Sequence, residues 1–227
     1  RVARSLQFCF WLMWRLTSGK YDVIHVHGSY WYTVASAVAA RLRGLPLIVK
    51  VTRLGEDDAS TVVSKRFGPV PLGRIYGYGL ARASAVIALS EEIANRNRVE
   101  FPFVQVHEWP NGVDVGFFEE GKANRSATRE RMGIAESTFT VLFVGYLVAH
   151  KGVDILVTAW RRFQDGKDVH LVLAGPDSGF YRELDSGVVA FARSAPEVTI
   201  TGKVDRTTVR DLYGAADLFV LPTHAEG

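Results

Sequence analysis

The stretch Val141-Leu142-Phe143-Val144-Gly145-Tyr146-Leu147-Val148-Ala149-His150-Lys151-Gly152-Val153-Asp154 reads as a strand, a glycine turn, a basic residue and a helix start. The run before Gly145 is short, apolar and valine-rich, the pattern of a parallel strand covered on both faces. After Asp154 the apolar residues fall at Ile155, Leu156, Ala159, Trp160 and Phe163, which is helical spacing. A strand running into a helix aims several backbone N–H groups and the positive helix end at one spot, a natural seat for phosphate. Lys151 adds a full positive charge beside it. An ordinary βα turn with a solvated lysine would look the same, and this stretch alone does not separate the two.

Downstream the pattern repeats. Residues 169–174 (VHLVLA) form a strand that empties into Gly175-Pro176-Asp177. Tyr181, Leu184, Val188 and Phe191 mark an amphipathic helix. A strand over 198–201 ends in Gly202, and Asp205 stands at the cap of a helix whose apolar face is Val209, Leu212, Tyr213 and Ala216. The last strand, 218–221 (LFVL), ends in Pro222-Thr223-His224-Ala225-Glu226-Gly227. Four parallel strands then discharge their loops on one edge, where those loops can build a single site.

Upstream lies a second βα series. Residues 6–16 (LQFCFWLMWRL) are apolar and aromatic, with Arg1, Arg4, Arg15 and Lys20 around them. The run is too short to span a bilayer, which needs about 20 apolar residues. It reads as a helix lying on a membrane surface or as a helix packed on a sheet; its nearly all-round apolar character favours packing. Tyr21 to Gly28 (YDVIHVHG) is a strand that puts His25 and His27 on one face. Such a pair could hold a metal, but no third ligand stands at a supporting spacing, so no metal is expected. His27 is the better functional candidate, because open α/β sheets bind ligands at strand C-termini, and Gly28 permits an unusual backbone angle there. An alanine-rich helix over 33–42 ends at Gly44. The strand 47–51 (LIVKV) empties into Thr52-Arg53-Leu54-Gly55-Glu56-Asp57-Asp58, an acidic cluster that could serve an acceptor hydroxyl, orient a cation, or be a solvated loop. A helix over 74–82 is weakened by Gly77 and Gly79. Residues 85–89 form a buried strand, Ser90 caps a helix from Glu91, 104–106 is a short strand, and 110–114 (PNGVD) is a turn. The polar segment 122–136, with a helix over 126–132, separates the two series and divides the chain at 121/122. Strands alternating with helices imply parallel βαβ units and an α/β fold.

The 227 residues are 48% hydrophobic and 22% charged with a net charge of +3. That balance suits an anionic small molecule or acidic lipid and is too weak to argue for nucleic acid. Cys9 is the sole cysteine, which excludes an intrachain disulfide and leans toward a reducing compartment. Starting at Arg1 and stopping just after a strand, the chain reads as an internal piece of a longer protein.

Six of these motifs, in order, resemble the retaining glycosyltransferases of family 4, which have the two-domain GT-B fold: DVIHVHG (22–28), VIALSEEI (86–93), PNGVD (110–114), FVGYLVAHKGVD (143–154), LVLAGPD (171–177) and GAADLFVLPTHAEG (214–227). The resemblance implies two Rossmann-like domains with parallel sheets, 1–121 on the acceptor side and 122–227 holding the donor, both incomplete here. It implies a hexosyl transfer from a nucleotide-diphosphate sugar to a glycan or lipid-linked acceptor, with retention and without metal or cofactor, in the cytoplasm or at the cytoplasmic face of a membrane. The piece by itself is expected to be inactive.

The resemblance also assigns residues. Lys151 matches the lysine of the basic pair that grips the donor diphosphate, and Tyr146 stands where the family usually has arginine, offering a neutral hydrogen bond in place of a charged fork. Glu226 matches the first of the family's paired glutamates, which touches donor-sugar hydroxyls. Gly145, Gly175, Pro176, Gly202 and Lys203 complete the donor side. His27, Thr52, Arg53 and Glu56 are the acceptor-side candidates, and Lys151, Glu226 and His27 the catalytic ones. Thr52 falls where the family often carries a histidine, so that role is not carried over. Two other readings stay open: a nucleotide-sugar epimerase of the same fold, and a non-catalytic nucleotide- or partner-binding module, favoured by Tyr146 and Thr52.

Overall fold

A computed structural model describes residues 2–176 and 185–224. Its contacts divide it into two units, the first ending at Gly112 and the second beginning at Val113.

In the first unit, α1 (Val2–Ser18) leads into β1 (Ile24–His27), α2 (Trp31–Arg43) and β2 (Leu47–Val51). Then come α3 (Ala59–Ser64), a small antiparallel hairpin of β3 (Arg66–Phe67) and β4 (Val70–Pro71), α4 (Gly73–Ala81), β5 (Ala85–Ala88), α5 (Glu91–Glu100) and β6 (Gln105–Glu108). The sheet runs β1-β2-β5-β6, all parallel, with His27 beside Lys50 and Lys50 beside Ile87. Strand alternation sends Ile24, Val26, Val49, Val51, Val86 and Ala88 to one face, where they are buried. The helices between the strands close over that face with Ala37, Val62, Leu80 and Ile93. Gly44 ends α2 in the left-handed conformation, φ 65°, and its N–H donates to the Ala40 and Arg41 carbonyls. Ser90 occupies the N-cap of α5, as expected, but its side chain makes no capping hydrogen bond; Glu91 and Glu92 in the first turn supply the favourable charge instead.

The expectation for residues 6–16 needs correcting. The helix packs chiefly on α2 rather than on a sheet. Met13 and Leu16 reach the core, while Leu6, Phe10, Trp11 and Trp14 face solvent. Arg43 fixes its C-terminal end by donating to the Thr17 and Gly19 carbonyls.

The second unit comprises α6 (Val115–Ala123), α7 (Arg125–Arg131), β7 (Phe139–Val144), a 3-10 turn (Ala149–Lys151), α8 (Val153–Phe163), β8 (Val169–Ala174), α9 (Ser186–Ser194), β9 (Val198–Gly202), α10 (Arg206–Ala215) and β10 (Leu218–Phe219). The strand order is β10-β7-β8-β9, all parallel. Both faces are covered, as the unbroken apolar runs require. Phe143, Leu171 and Leu173 meet Leu147, Val153 and Trp160 on one side; Leu142, Val172 and Ala174 meet Ile134 and Leu212 on the other. Asp205 caps α10 by accepting from the Thr208 N–H at 2.7 Å. The expected helix through Tyr181 and Leu184 lies in part outside the described residues; Val188 and Phe191, on α9, pack against the core.

α6 was not anticipated. It lies along α10 so closely that a Cβ on Gly121 would come within 2.3 Å of the Arg210 carbonyl, and one on Gly214 within 2.0 Å of the Gly121 carbonyl. The division expected at 121/122 falls inside this helix. α7 is anchored by Arg129, which is fully buried. Its guanidinium donates to the carbonyls of Ala135 and Ala215, both at 2.8 Å, and to that of Thr138. Asp217 faces it at 3.4 Å and also takes Arg125 at 2.6 Å and the Thr140 N–H at 2.8 Å. Burial pushes the Asp217 carboxyl up, but these donors outweigh it and hold the group below the ordinary carboxylate range.

Candidate functional site

In the second unit the loops after β7, β8, β9 and β10 are laced together at the C-terminal edge of the sheet. The Gly145 N–H donates to the Ala174 carbonyl at 2.9 Å, Leu147 to Pro176 at 3.0 Å, and Gly175 to Gly202 at 3.0 Å. A Cβ on Gly175 would sit 1.8 Å from the Gly145 oxygen, so no other residue fits without moving backbone. On the other side, the His150 carbonyl accepts from the His224 N–H at 3.1 Å and the Thr223 hydroxyl at 3.2 Å. Gly152, at φ 69°, presses against Pro222: a Cβ there would lie 1.9 Å from its carbonyl oxygen. Gly145, Tyr146, Lys151, Gly175, Pro176, Gly202 and Lys203 therefore share one edge. Tyr146 is 60% exposed and Lys203 is exposed. Glu226 and Asp177 lie outside the described residues.

Lys151 sits one step earlier than a simple strand-to-helix turn would place it. Its N–H donates to the Val148 carbonyl at 3.1 Å and closes the 3-10 turn, so the amides of α8 open toward the edge only from Val153. Asp154 occupies the first turn of α8 and takes part of the positive helix end for itself. The cationic character of the edge thus rests on Lys151, Lys203 and the remaining first-turn amides.

In the first unit, His27 is exposed at the end of β1, and Gly28 follows at φ 82° with its N–H on the Lys50 carbonyl at 2.8 Å. The His25 and His27 rings lie 4.5 Å apart. Burial first, then the neighbouring His27 and Lys50, pushes the His25 pKa down. The Lys50 ammonium donates to Asn111 Oδ1 at 2.6 Å. Among the described residues no three His, Cys, Asp or Glu side chains are grouped to hold a metal ion.

The acidic cluster divides in a way the sequence did not suggest. Asp57 is fully buried. Its carboxylate accepts from the N–H of Ser29 at 3.2 Å, of Thr52 at 3.1 Å and of Arg53 at 2.6 Å, and from the Thr52 hydroxyl at 3.1 Å. It therefore ties the end of β1 to the end of β2. Asp58, also buried, caps α3 through the Thr61 N–H and hydroxyl and takes the Gly55 N–H at 2.6 Å. Neither is a solvated loop residue; both build the loop, and Asp58 also faces the Arg96 guanidinium at 3.4 Å. Glu56 alone faces solvent, paired with Arg53 at 2.9 Å in an exposed bridge worth about 0–1 kcal/mol. Asp57 was missed as a key residue, although the Asp58-x-x-Thr61 spacing signals a capped helix at this loop.

The two units match different family models. Residues 1–112 match the glycosyl transferase 4-like domain, and residues 138–227 match glycosyl transferases group 1. A D-inositol 3-phosphate glycosyltransferase of Xylanimonas cellulosilytica is 28% identical over 92% of this chain and 52% of its own length. A putative teichuronic acid biosynthesis glycosyltransferase of Bacillus subtilis, TuaC, is 26% identical over 91% of this chain and 48% of its own. Among solved structures, Anabaena Alr3699/HepE in complex with UDP-glucose superimposes with a TM-score of 0.64 at 19% identity, over 95% of this chain and 56% of that one. The chain spans about half the length of these relatives. With one model on each half and the same two parallel-sheet units in its structural neighbours, the chain belongs to the family 4 type of glycosyltransferase with the GT-B fold.

Proposed function

We propose that the protein transfers a hexosyl unit from a nucleotide-diphosphate sugar to a glycan or lipid-linked acceptor, with retention at the anomeric carbon and without a metal or cofactor. The observation that carries this reading is the laced edge of the second sheet, where Lys151 and Lys203 stand beside glycine loops that allow a ligand to approach backbone. The UDP-glucose complex of the Anabaena neighbour supports the donor class, and the Bacillus relative supports an acceptor in envelope polysaccharide synthesis. Nucleotide sugars and the lone Cys9 thiol both suit the cytoplasm.

The chemistry follows from charge. Cleaving the bond between sugar and diphosphate builds negative charge on the leaving phosphate and oxocarbenium-like positive charge on the sugar. Lys151 and the first-turn amides of α8 meet the first, and one such preorganised contact is typically worth about 3 kcal/mol of barrier. Glu226 orients the sugar through its hydroxyls. On the acceptor side, His27, Thr52 and Arg53 stand at strand ends fixed by Asp57.

The test is calorimetric titration of the protein with UDP and GDP. One of the two is expected to bind, with Lys151→Ala weakening it by about 10- to 100-fold, the worth of one charge-assisted hydrogen bond. No binding of either nucleotide, or a Lys151→Ala variant equal to wild type, overturns the proposal. Product analysis with a labelled donor distinguishes transfer from epimerisation.

A further inference from the structure

The turn Pro110-Asn111-Gly112-Val113-Asp114 has no part in the chemistry proposed above, yet it contains a reactive pair. Asparagine is a thermolabile residue, because the next main-chain nitrogen can attack its side-chain amide carbon. A glycine in that next position removes the Cβ that would hinder the approach. The ring closes between atoms of adjacent residues, so the reaction asks for local backbone freedom and not for an open surface.

The fold leaves the nucleophile free and holds the electrophile. Before the turn, the Trp109 N–H donates to the Ala88 carbonyl at 2.8 Å. After it, Asp114 Oδ1 accepts from the Phe117 N–H at 3.1 Å and starts α6. Between these anchors the Gly112 N–H makes no hydrogen bond among the described residues. The φ of Gly112 is not positive, and nothing lies within 4 Å of the place a Cβ would take. The Asn111 amide, by contrast, is gripped: the Lys50 ammonium donates to its Oδ1 at 2.6 Å. A short, charge-assisted bond of this kind draws electron density from the amide carbon. It also stands at the atom that becomes negative when that carbon turns tetrahedral. Lys50 belongs to β2, and β5 lies between β2 and β6, so the contact is one that only the folded sheet supplies.

We infer that Asn111-Gly112 is a self-modifying site at which Lys50 promotes loss of the Asn111 amide. The Gly112 nitrogen gives up its proton and bonds to Asn111 Cγ, and Oδ1 takes the negative charge beside Lys50. The carbonyl then re-forms as the Cγ–Nδ2 bond breaks, and the amide nitrogen leaves with that proton as ammonia. Water opens the resulting succinimide at either carbonyl. Opening at Cγ leaves ordinary aspartate at position 111; opening at the main-chain carbonyl leaves isoaspartate, with one more carbon in the backbone. Either product is a new carboxylate next to Lys50. The first unit ends at Gly112 and the second begins at Val113, so the change falls where the chain passes from one to the other. This holds whether or not the donor chemistry proposed above is right.

The experiment incubates the purified protein at neutral pH and physiological temperature, then follows the tryptic peptide 99–122, bounded by Arg98 and Lys122, by mass spectrometry. Conversion of amide to acid is expected at Asn111, located by fragment ions, with part of the product accepting a methyl group from an isoaspartyl methyltransferase. A synthetic peptide of residues 105–117 has the Asn-Gly pair without Lys50, and the folded protein is expected to convert faster than it. Lys50→Met keeps the stem and removes the charge, and should slow conversion about tenfold, whereas Lys50→Arg should retain the rate. Gly112→Ala should slow it about tenfold or more. An unaltered thermal melt shows that each variant keeps the fold. A folded protein that converts no faster than the peptide overturns the proposal, and so does a Lys50→Met variant that converts at the wild-type rate or above it.

Discussion

Replacing Asp57 with alanine should unfasten the loops at the C-terminal edge of the first sheet. The carboxylate is buried and satisfies three backbone N–H groups, those of Ser29, Thr52 and Arg53, along with the Thr52 hydroxyl. Without it these donors have no acceptor within the fold. Each orphaned buried donor costs about 1–3 kcal/mol, so the loss should reach about 3–6 kcal/mol after some water enters the space. That is a large share of the roughly 5–15 kcal/mol by which a domain is stable. Asp57→Asn keeps the shape and one acceptor oxygen but turns an amide N–H2 toward other donors, and should lose about half as much. Urea unfolding followed by tryptophan fluorescence gives the magnitude, and amide hydrogen exchange gives the place: Ser29, Thr52 and Arg53 should lose protection before the strand centres do. If Asp57→Ala costs less than about 1 kcal/mol, or those amides stay as protected as in wild type, the reasoning about this loop is wrong.

Two further outcomes follow from the second unit. Arg129→Leu should destabilise it by about 3–5 kcal/mol, because the carbonyls of Ala135, Thr138 and Ala215 and the Asp217 carboxylate lose a shared buried donor; a melting temperature equal to wild type would contradict this. His170, with its Nε2 2.8 Å from Thr199 Oγ1, has its pKa pushed down by burial, with Glu197 opposing and Arg129 assisting. Because the folded ring resists its proton while the unfolded one accepts it near pH 6.5, stability should fall as pH drops below about 6.5 and level off once the folded ring also titrates. An NMR titration placing the His170 midpoint above 6.5 would reverse the sign, and His170→Gln should flatten the slope.

The parallel strands of the second sheet were legible because burial on both faces leaves unbroken apolar runs such as VLFV and VHLVLA. Caps that rest on one residue, the Asp205 carboxylate and the left-handed Gly44, were legible because each acts within a few residues of itself. What escaped depended on partners distant in sequence. α6 contains Gly116 and Gly121, which argue against a helix by propensity, yet Gly121 is there because α10 lies against it through Gly214. Asp57 looked like one acid of three; only the fold brings Ser29 to it across 28 positions. Arg129 sits in a polar stretch and gives no sign that it is buried. At the C-terminal edge of the second sheet, strand ends and glycines placed Gly145, Lys151, Gly175 and Gly202 together, but nothing in the sequence showed that Lys151 ends a 3-10 turn ahead of the helix.

The strap between residues 149–152 and 222–224 has a consequence for engineering. Two hydrogen bonds to the His150 carbonyl and the contact of Gly152 with Pro222 lock these segments in register. Glu226 follows two residues later in the sequence. A designer who transplants only one segment from a cousin of different donor preference would import a loop whose mate no longer fits. Exchanged as a matched pair, the two would carry their mutual alignment with them, so on the proposed function donor choice would belong to a cassette and not to a single position.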